Sequence, residues 1–177
     1  MDSDTALNTL KNSLITNLTD VYVTAGGNTR SQWIYYNEPI SSPKYPIIEL
    51  TKLTNPEIVL DIGPNFAVSE VVIANLWVYS KNGFNVNIAG TEYLNSRLVE
   101  WLFVQIKNII KTQFSSLFSS GIICRTLNTS RIEYDPNTQL FFGAVSVKIW
   151  FFKLWCPYVN VDSVKYTGRG HNDWSYN

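Results

Sequence analysis

The sequence predicts an α+β fold, with a mostly antiparallel sheet and two helices packed on one of its faces. One long helix is predicted over residues 91–118, because apolar side chains recur there every three or four positions. Two extended segments, 69–80 and 139–152, carry apolar side chains on both faces, as strands covered on both sides do. We expect residues 1–152 to form a single domain and residues 153–177 to form a C-terminal docking tail.

The chain opens with a predicted amphipathic helix over residues 4–19. Leu7, Leu10 and Leu14 are spaced three or four apart and form its apolar stripe. Residues 20–25 then alternate between valine and other side chains, which predicts a short strand.

An irregular arm rich in aromatic residues is predicted over residues 26–44. Glycine, serine and proline prevent regular structure there, and a loop of this length inside a domain often has a function. The arm contains Trp33, Tyr35 and Tyr36. These side chains either pack locally or contact a partner protein, since tryptophan and tyrosine are enriched at interfaces.

Three strands are expected in the middle of the chain. Residues 45–53 form the first of them, and residues 58–62 form a shorter one. Residues 69–80 are the best strand in the sequence and end at Asn82-Gly83, a strong turn dipeptide.

The predicted long helix has recognisable ends. Thr91 is expected to cap its first free amides, and Lys111 lies late in the helix, where the dipole favours cations. Gly121 is expected to end it in a left-handed conformation. The apolar stripe consists of Leu94, Leu98, Trp101, Leu102, Ile106, Ile109, Ile110, Phe114 and Leu117.

A long hairpin is predicted after the helix. Its arms are residues 122–134 and 139–152, joined by a turn at residues 135–138. Two helices can cover one face of the resulting sheet. The apolar residues on the other face need a cover as well, either from the arm and the tail or from another subunit.

Composition narrows the function classes. The 177 residues contain 14 basic and 14 acidic side chains, so the net charge is zero, and only 16% of the residues are charged. A surface poor in charge and rich in aromatic residues tends to associate. The sequence contains no basic patch that would support sequence-specific nucleic-acid binding, no apolar run long enough to span a membrane, and no export signal at residues 1–30.

The residues that usually carry catalysis are few. His171 is the single histidine, and it lies in the polar tail. Cys124 and Cys156 are far apart in sequence and are expected to be reduced thiols. We found no nucleotide-binding, zinc or calcium motif, so no catalytic residue, metal or cofactor is expected, and the carboxylates show no spacing that singles out a pair.

Six aromatic residues are the candidates for a subunit or partner interface. Trp33, Trp155 and Trp174 lie outside the strongest predicted elements, which favours a binding role for them. The full set is Trp33, Tyr35, Tyr36, Trp150, Trp155 and Trp174.

The order of elements resembles that of the tail terminator, or tail completion, proteins of long-tailed viruses. The resemblance is carried by residues 5–25, 69–80, 91–118 and 122–152, with the Asn82-Gly83 turn between two of these segments. It is a likeness of architecture and size, and no functional residue is carried over from the family.

The resemblance implies a structural virion protein and not an enzyme. Such a subunit forms a six-membered ring that caps the tail tube and joins it to the head connector. Its implied partners are its own copies, the tail tube protein and the head-tail connector protein, while the genome passes through the channel without sequence-specific binding and no membrane is involved. Its implied location is the virion neck, and the host cytoplasm during assembly.

Two alternatives stay open. The chain could be another neck or tail-tube component, or a small α+β module that binds a carbohydrate or a peptide through its exposed aromatic residues. Oligomeric state separates the ring subunit from the binding module.

Overall fold

The computed structural model describes residues 1–38, 40, 43–54, 57–60 and 67–154, and these form an α+β fold with a mostly antiparallel sheet. The helices are α1 (Ser3–Asn17), α2 (Val21–Thr24), α3 (Ser96–Thr112) and α4 (Phe114–Ser119). The strands are β1 (Ile34–Tyr36), β2 (Ile47–Lys52), β3 (Glu57–Leu60), β4 (Ala67–Lys81), β5 (Asn85–Ile88), β6 (Thr91–Leu94), β7 (Ile122–Thr129), β8 (Glu133–Asp135) and β9 (Leu140–Leu154).

Strands β4 and β9 form the centre of the main sheet. They pair antiparallel over their whole length, from Ala67 opposite Leu154 to Lys81 opposite Leu140. Strands β2 and β3 follow one another along the free side of β4, and β7 and β8 do the same along β9. The sheet order is therefore β1-β2-β4-β9-β7, and among the described strands only β1 and β2 run parallel.

Helices α1 and α3 cover one face of this sheet, as the sequence predicts. Side chains of α1 at three- and four-residue spacing are fully buried, which confirms the first amphipathic helix. Asp2 caps α1 by accepting a hydrogen bond from the Thr5 N–H at 2.7 Å. The sheet residues buried beneath the helices include Ile48, Leu50, Val72, Ala74, Leu76, Val78, Val145, Val147, Ile149 and Phe151.

The long helix is present, but its first turn is not where the sequence predicts it. Residues Thr91–Leu94 form β6, which pairs with β5 in a small hairpin, so Thr91 is not a helix cap. Ala89 and Gly90 both have positive φ, and Gly90 donates to the Asn87 side chain at 3.0 Å. That turn is of the kind that hairpins prefer, and it displaces the helix start to Ser96.

The end of the helical stretch agrees better with the sequence. Gln113 interrupts it between α3 and α4, and Gly121 follows α4 with a φ of 84°. This is the left-handed conformation expected of a glycine after a helix.

The short strand predicted at residues 20–25 is wrong, because Val21–Thr24 form one helical turn, α2. The Asp20 carboxylate caps that turn by accepting from the Tyr22 N–H at 3.0 Å. Local capping here outweighs the strand propensity of valine.

The other predicted strands are confirmed with small changes of their bounds. Residues 45–53 and 69–80 correspond to β2 and β4, and β3 ends at Leu60. The hairpin after the helix is present as β7 and β8 against β9, with a bulge between Thr126 and Asn128.

Candidate interaction surface

One face of the main sheet points away from the helices, and we call it the open face. Side chains alternate across a strand, so the residues between the buried ones belong to this face. Among the described residues no helix packs on it. Its central members are Ile47, Glu49, Thr51, Val71, Ile73, Asn75, Trp77, Tyr79, Phe142, Ala144, Ser146, Lys148 and Trp150.

Three aromatic rings meet on the open face at the β4–β9 centre. The ring centroid of Trp77 lies 6.5 Å from that of Tyr79 and 6.3 Å from that of Phe142. Tyr79 and Phe142 face each other across the two strands at 6.2 Å. All three side chains are half-buried, so they form an apolar patch that remains accessible.

Four polar side chains of the open face are paired with one another. Tyr79 Oη donates to Glu49 Oε2 at 3.2 Å, and Ser146 Oγ donates to Asn75 Oδ1 at 2.7 Å. Burial, together with the negative charge of Glu49, raises the pKa of Tyr79 to about 12. Because these four groups already have partners, a protein that covers this face leaves few of their polar atoms unsatisfied. The buried Thr51 hydroxyl of the same face has no hydrogen-bond partner among the described residues.

Aromatic and cationic groups also meet near the other end of β9. The Lys148 Nζ lies 5.1 Å from the ring centroid of Trp150. Trp150 is half-buried on the open face, so one residue of the predicted interface set lies beside the central patch.

Two of the three aromatic residues in the predicted arm are buried in the core and are not free to contact a partner protein. Trp33 is 6% exposed and Tyr36 is 3% exposed, so both are core residues on the helix side of the sheet. Tyr35 pairs in register with Glu49 and is therefore half-buried on the open face. The predicted docking tail begins at residue 153, but β9 continues to Leu154. Trp155 and Trp174, like the rest of residues 155–177, lie outside the described residues.

Arg30 holds the arm in place. Its Nε and Nη2 atoms donate to the two carboxylate oxygens of Asp20, both at 2.6 Å. It also donates to the carbonyls of Lys44 and Pro46, and its guanidinium lies 5.5 Å from the Trp33 ring centroid. One buried cation therefore joins both ends of the arm to the start of α2.

The sequence missed the patch of Trp77, Tyr79 and Phe142 as a candidate site. The signal was present in the two-faced alternation of the central strands. The side on which α1 and α3 pack reveals which of the two apolar faces has no described helix on it.

The described residues offer little chemistry beyond this surface. They contain no group of three or more His, Cys, Asp or Glu side chains arranged to hold a metal ion. Cys124 is buried beneath the helices, and burial raises its pKa to about 12. His171 and Cys156 lie outside the described residues.

Comparison with known proteins gives no family. No family model matches the chain, and a comparison with curated proteins finds no match.

In the part of the chain that the structure describes, none of the helices has the length and apolarity to cross a bilayer.

Proposed function

We propose that the chain is a structural virion protein, a tail terminator subunit that forms a ring, caps the tail tube and joins it to the head connector. The order of elements supports this proposal, because a leading helix, a long two-faced strand, a long helix and a closing hairpin follow one another along the chain. A zero net charge and a low charged fraction also suit a subunit that works in an assembly.

The observation that carries the proposal is the open face. Soluble monomers rarely expose a large contiguous apolar patch, and such patches mark interaction sites. Here the patch lies on rigid, fully paired strands at the centre of the sheet. A rigid apolar surface with paired polar groups suits permanent burial against another subunit.

A ring needs two different contact patches on each subunit. In a rotationally closed assembly, one patch meets a different patch on the neighbour, unlike a two-fold dimer, where like meets like. Under this proposal the open face, with Tyr35 and Trp150, supplies contacts to a neighbour or to the tube, while Trp33 and Tyr36 support the fold.

The native mass of the purified protein tests the proposal. We expect a closed oligomer of six copies by native mass spectrometry, and rings in negative-stain images of the same sample. A subunit that needs a template would instead add to the ends of preformed tail tubes. A monomer that also fails to bind tubes contradicts the proposal.

A variant links assembly to the open face. Trp77→Glu places a charge in the aromatic patch, and we expect it to abolish the ring while the far-UV circular dichroism stays unchanged. Val104→Glu is the matched control, because Val104 is an exposed apolar residue on α3, on the opposite side of the sheet. Rings that survive Trp77→Glu would separate assembly from this face.

The same patch favours a second candidate, a carbohydrate- or peptide-binding module. Three adjacent accessible rings are a surface on which a sugar or an apolar side chain can stack. Such a module would be monomeric, and its tryptophan fluorescence would change on titration with oligosaccharides. The two candidates therefore give opposite results in the mass measurement.

A further inference from the structure

A second feature of the molecule lies at the edge of the main sheet, in a cleft of about 480 Å³ between the helices and β7. We call it the β7-edge cleft. Its helical wall includes Lys107, Lys111 and Phe114, and its strand wall consists of Cys124, Arg125 and Thr126.

The strand wall shows where the cleft runs. Cys124, Arg125 and Thr126 are consecutive, and consecutive side chains of a strand point to opposite faces. A cleft that touches all three must run along the outer edge of β7. The inner edge of β7 pairs with β9, and no described strand pairs with the outer edge. Within the described residues, that outer edge is therefore an open template for a further strand.

The charge of the cleft has one sign. Lys107, Lys111 and Arg125 line it, and none of its described lining residues is a carboxylate. In the part of the chain that is described, the ion pairs within 4.0 Å involve other residues, so these three cations have no acidic partner there. A cleft with cations and an open strand edge attracts a negatively charged chain.

The cleft also has an apolar side. Ile110 and Cys124 form part of its lining, and Phe114 stands at its rim, 49% exposed. The Phe114 ring stacks on Phe118, which is 53% exposed, with centroids 6.3 Å apart. These two rings offer an anchor for an apolar side chain of the bound segment.

We propose that the β7-edge cleft binds an extended, acidic segment of a partner protein, which adds to β7 as a further strand. Its backbone pairs with the outer edge of β7. Its carboxylates on the helix side of the sheet face Lys107 and Lys111, and those on the other side face Arg125, which lies opposite Lys148 of the open face. Side chains of an extended segment alternate between the two sides, so an apolar residue two positions from a helix-side carboxylate reaches Phe114. This inference goes beyond the proposed function and stands whether or not the chain forms a ring.

The first test uses the full chain and a fluorescein-labelled ten-residue peptide in which pairs of glutamates alternate with pairs of valines, so that both faces of the extended peptide carry both residue types. Fluorescence anisotropy should show binding that weakens as salt rises, because salt screens the charge attraction. The double variant Lys111→Glu, Arg125→Glu should bind the peptide with an affinity at least about tenfold lower. Lys81→Glu, Arg97→Glu is the matched control, since it makes the same charge change at two exposed residues that do not line the cleft.

The second test asks whether the peptide pairs with β7 as a strand. It changes only the peptide and uses the unsubstituted protein. Two peptides are N-methylated at alternate residues, one set odd and the other even. A strand points alternate N–H groups toward its neighbour, so one peptide should lose binding and the other should keep it. Equal binding of both peptides overturns the strand addition.

Three further outcomes would overturn the proposal. A peptide with lysine in place of glutamate that binds equally well removes the charge argument. Tighter binding of a ten-nucleotide oligothymidylate assigns the cleft to nucleic acid. A changed native mass of the Lys111→Glu, Arg125→Glu variant, with peptide binding intact, assigns the β7 edge to a second copy of this chain. Circular dichroism and urea unfolding confirm that each variant is folded.

Discussion

The Phe103 ring on α3 rests on Gly143, near the start of β9, in the helix–sheet interface. A Cβ atom at Gly143 would approach Phe103 Cζ to 2.8 Å and Ser130 Oγ to 3.2 Å. The absence of a side chain at this position therefore sets how closely α3 packs on the sheet.

Gly143→Ala is expected to destabilise the protein by about 1–3 kcal/mol, because the added methyl group overpacks the contact with Phe103. Urea unfolding measures the loss. The double variant Phe103→Leu, Gly143→Ala should show a coupling energy that offsets part of it, because the smaller side chain makes room. Strict additivity of the two changes would place the strain elsewhere.

Arg30→Met is expected to cost about 3–5 kcal/mol of unfolding free energy, because it leaves the Asp20 carboxylate poorly solvated and without its cation. The arginine side chain is 8% exposed and that of Asp20 is 15% exposed. Thermal unfolding followed by circular dichroism is the measurement. Lys52→Met is the control, since its ion pair with Asp4 is more exposed and should be worth at most about 1 kcal/mol.

Trp33→Ala and Tyr36→Ala should each cost about 3–5 kcal/mol, as truncations of buried aromatic residues do. Removing the segment between them would also delete β1 and disrupt the sheet edge. Tyr35→Ala is the comparison, because Tyr35 is only half-buried and should cost much less. Denaturant unfolding measures the loss of unfolding free energy in the three variants. Equal losses would argue against the arm being part of the core.

Alkaline pH should weaken the fold through Cys124. Burial raises the pKa of Cys124 from an ordinary value of 9.0 to about 12, so the folded thiol stays protonated where the unfolded thiol ionises. The stability contribution is complete below pH 9 and is lost as pH rises toward 12, by at most about 1.4 kcal/mol per pH unit.

Unfolding in urea at pH 8 to 10.5 measures that loss, in a Cys156→Ser background that leaves one thiol. Cys124→Ala should flatten the pH dependence, although its stability at pH 8 is lower because of the missing sulfur. Tyr79 adds a decline in the same direction above pH 10, since its pKa is raised to about 12. The same slope in Cys124→Ala and its parent would refute the role of the thiol.

Much of the fold could be predicted, because the strongest hydrophobic patterns in the sequence determine the arrangement of its helices and strands. The helical stripe and the two-faced strands specify a helix layer on a sheet, and both are present. The helix start could not be placed, because the Asn87–Gly90 turn competes with Thr91 as a cap and wins through its hairpin geometry. The strand at residues 20–25 failed because the capping role of Asp20 depends on local geometry that propensity does not record.

The candidate surface was harder to predict than the fold. Trp33 and Tyr36 are interface-type residues in a polar segment, yet parallel pairing of β1 with β2 buries them. Trp77 lies in the most apolar strand, yet it remains accessible because both helices pack on the opposite face. In each case, burial is set by contacts with elements distant in sequence.

The pairing of β4 with β9 has a consequence for how the chain is made. The two strands that build the sheet are separated by the whole helical region, so β4 leaves the ribosome long before β9 exists to pair with it. The apolar side chains of β4 therefore stay without their partners on β9 until the end of synthesis. Contacts between segments distant in sequence also make folding slow and expose intermediates to aggregation. We therefore expect the rate of native-state formation to be limited by synthesis and docking of the last strand.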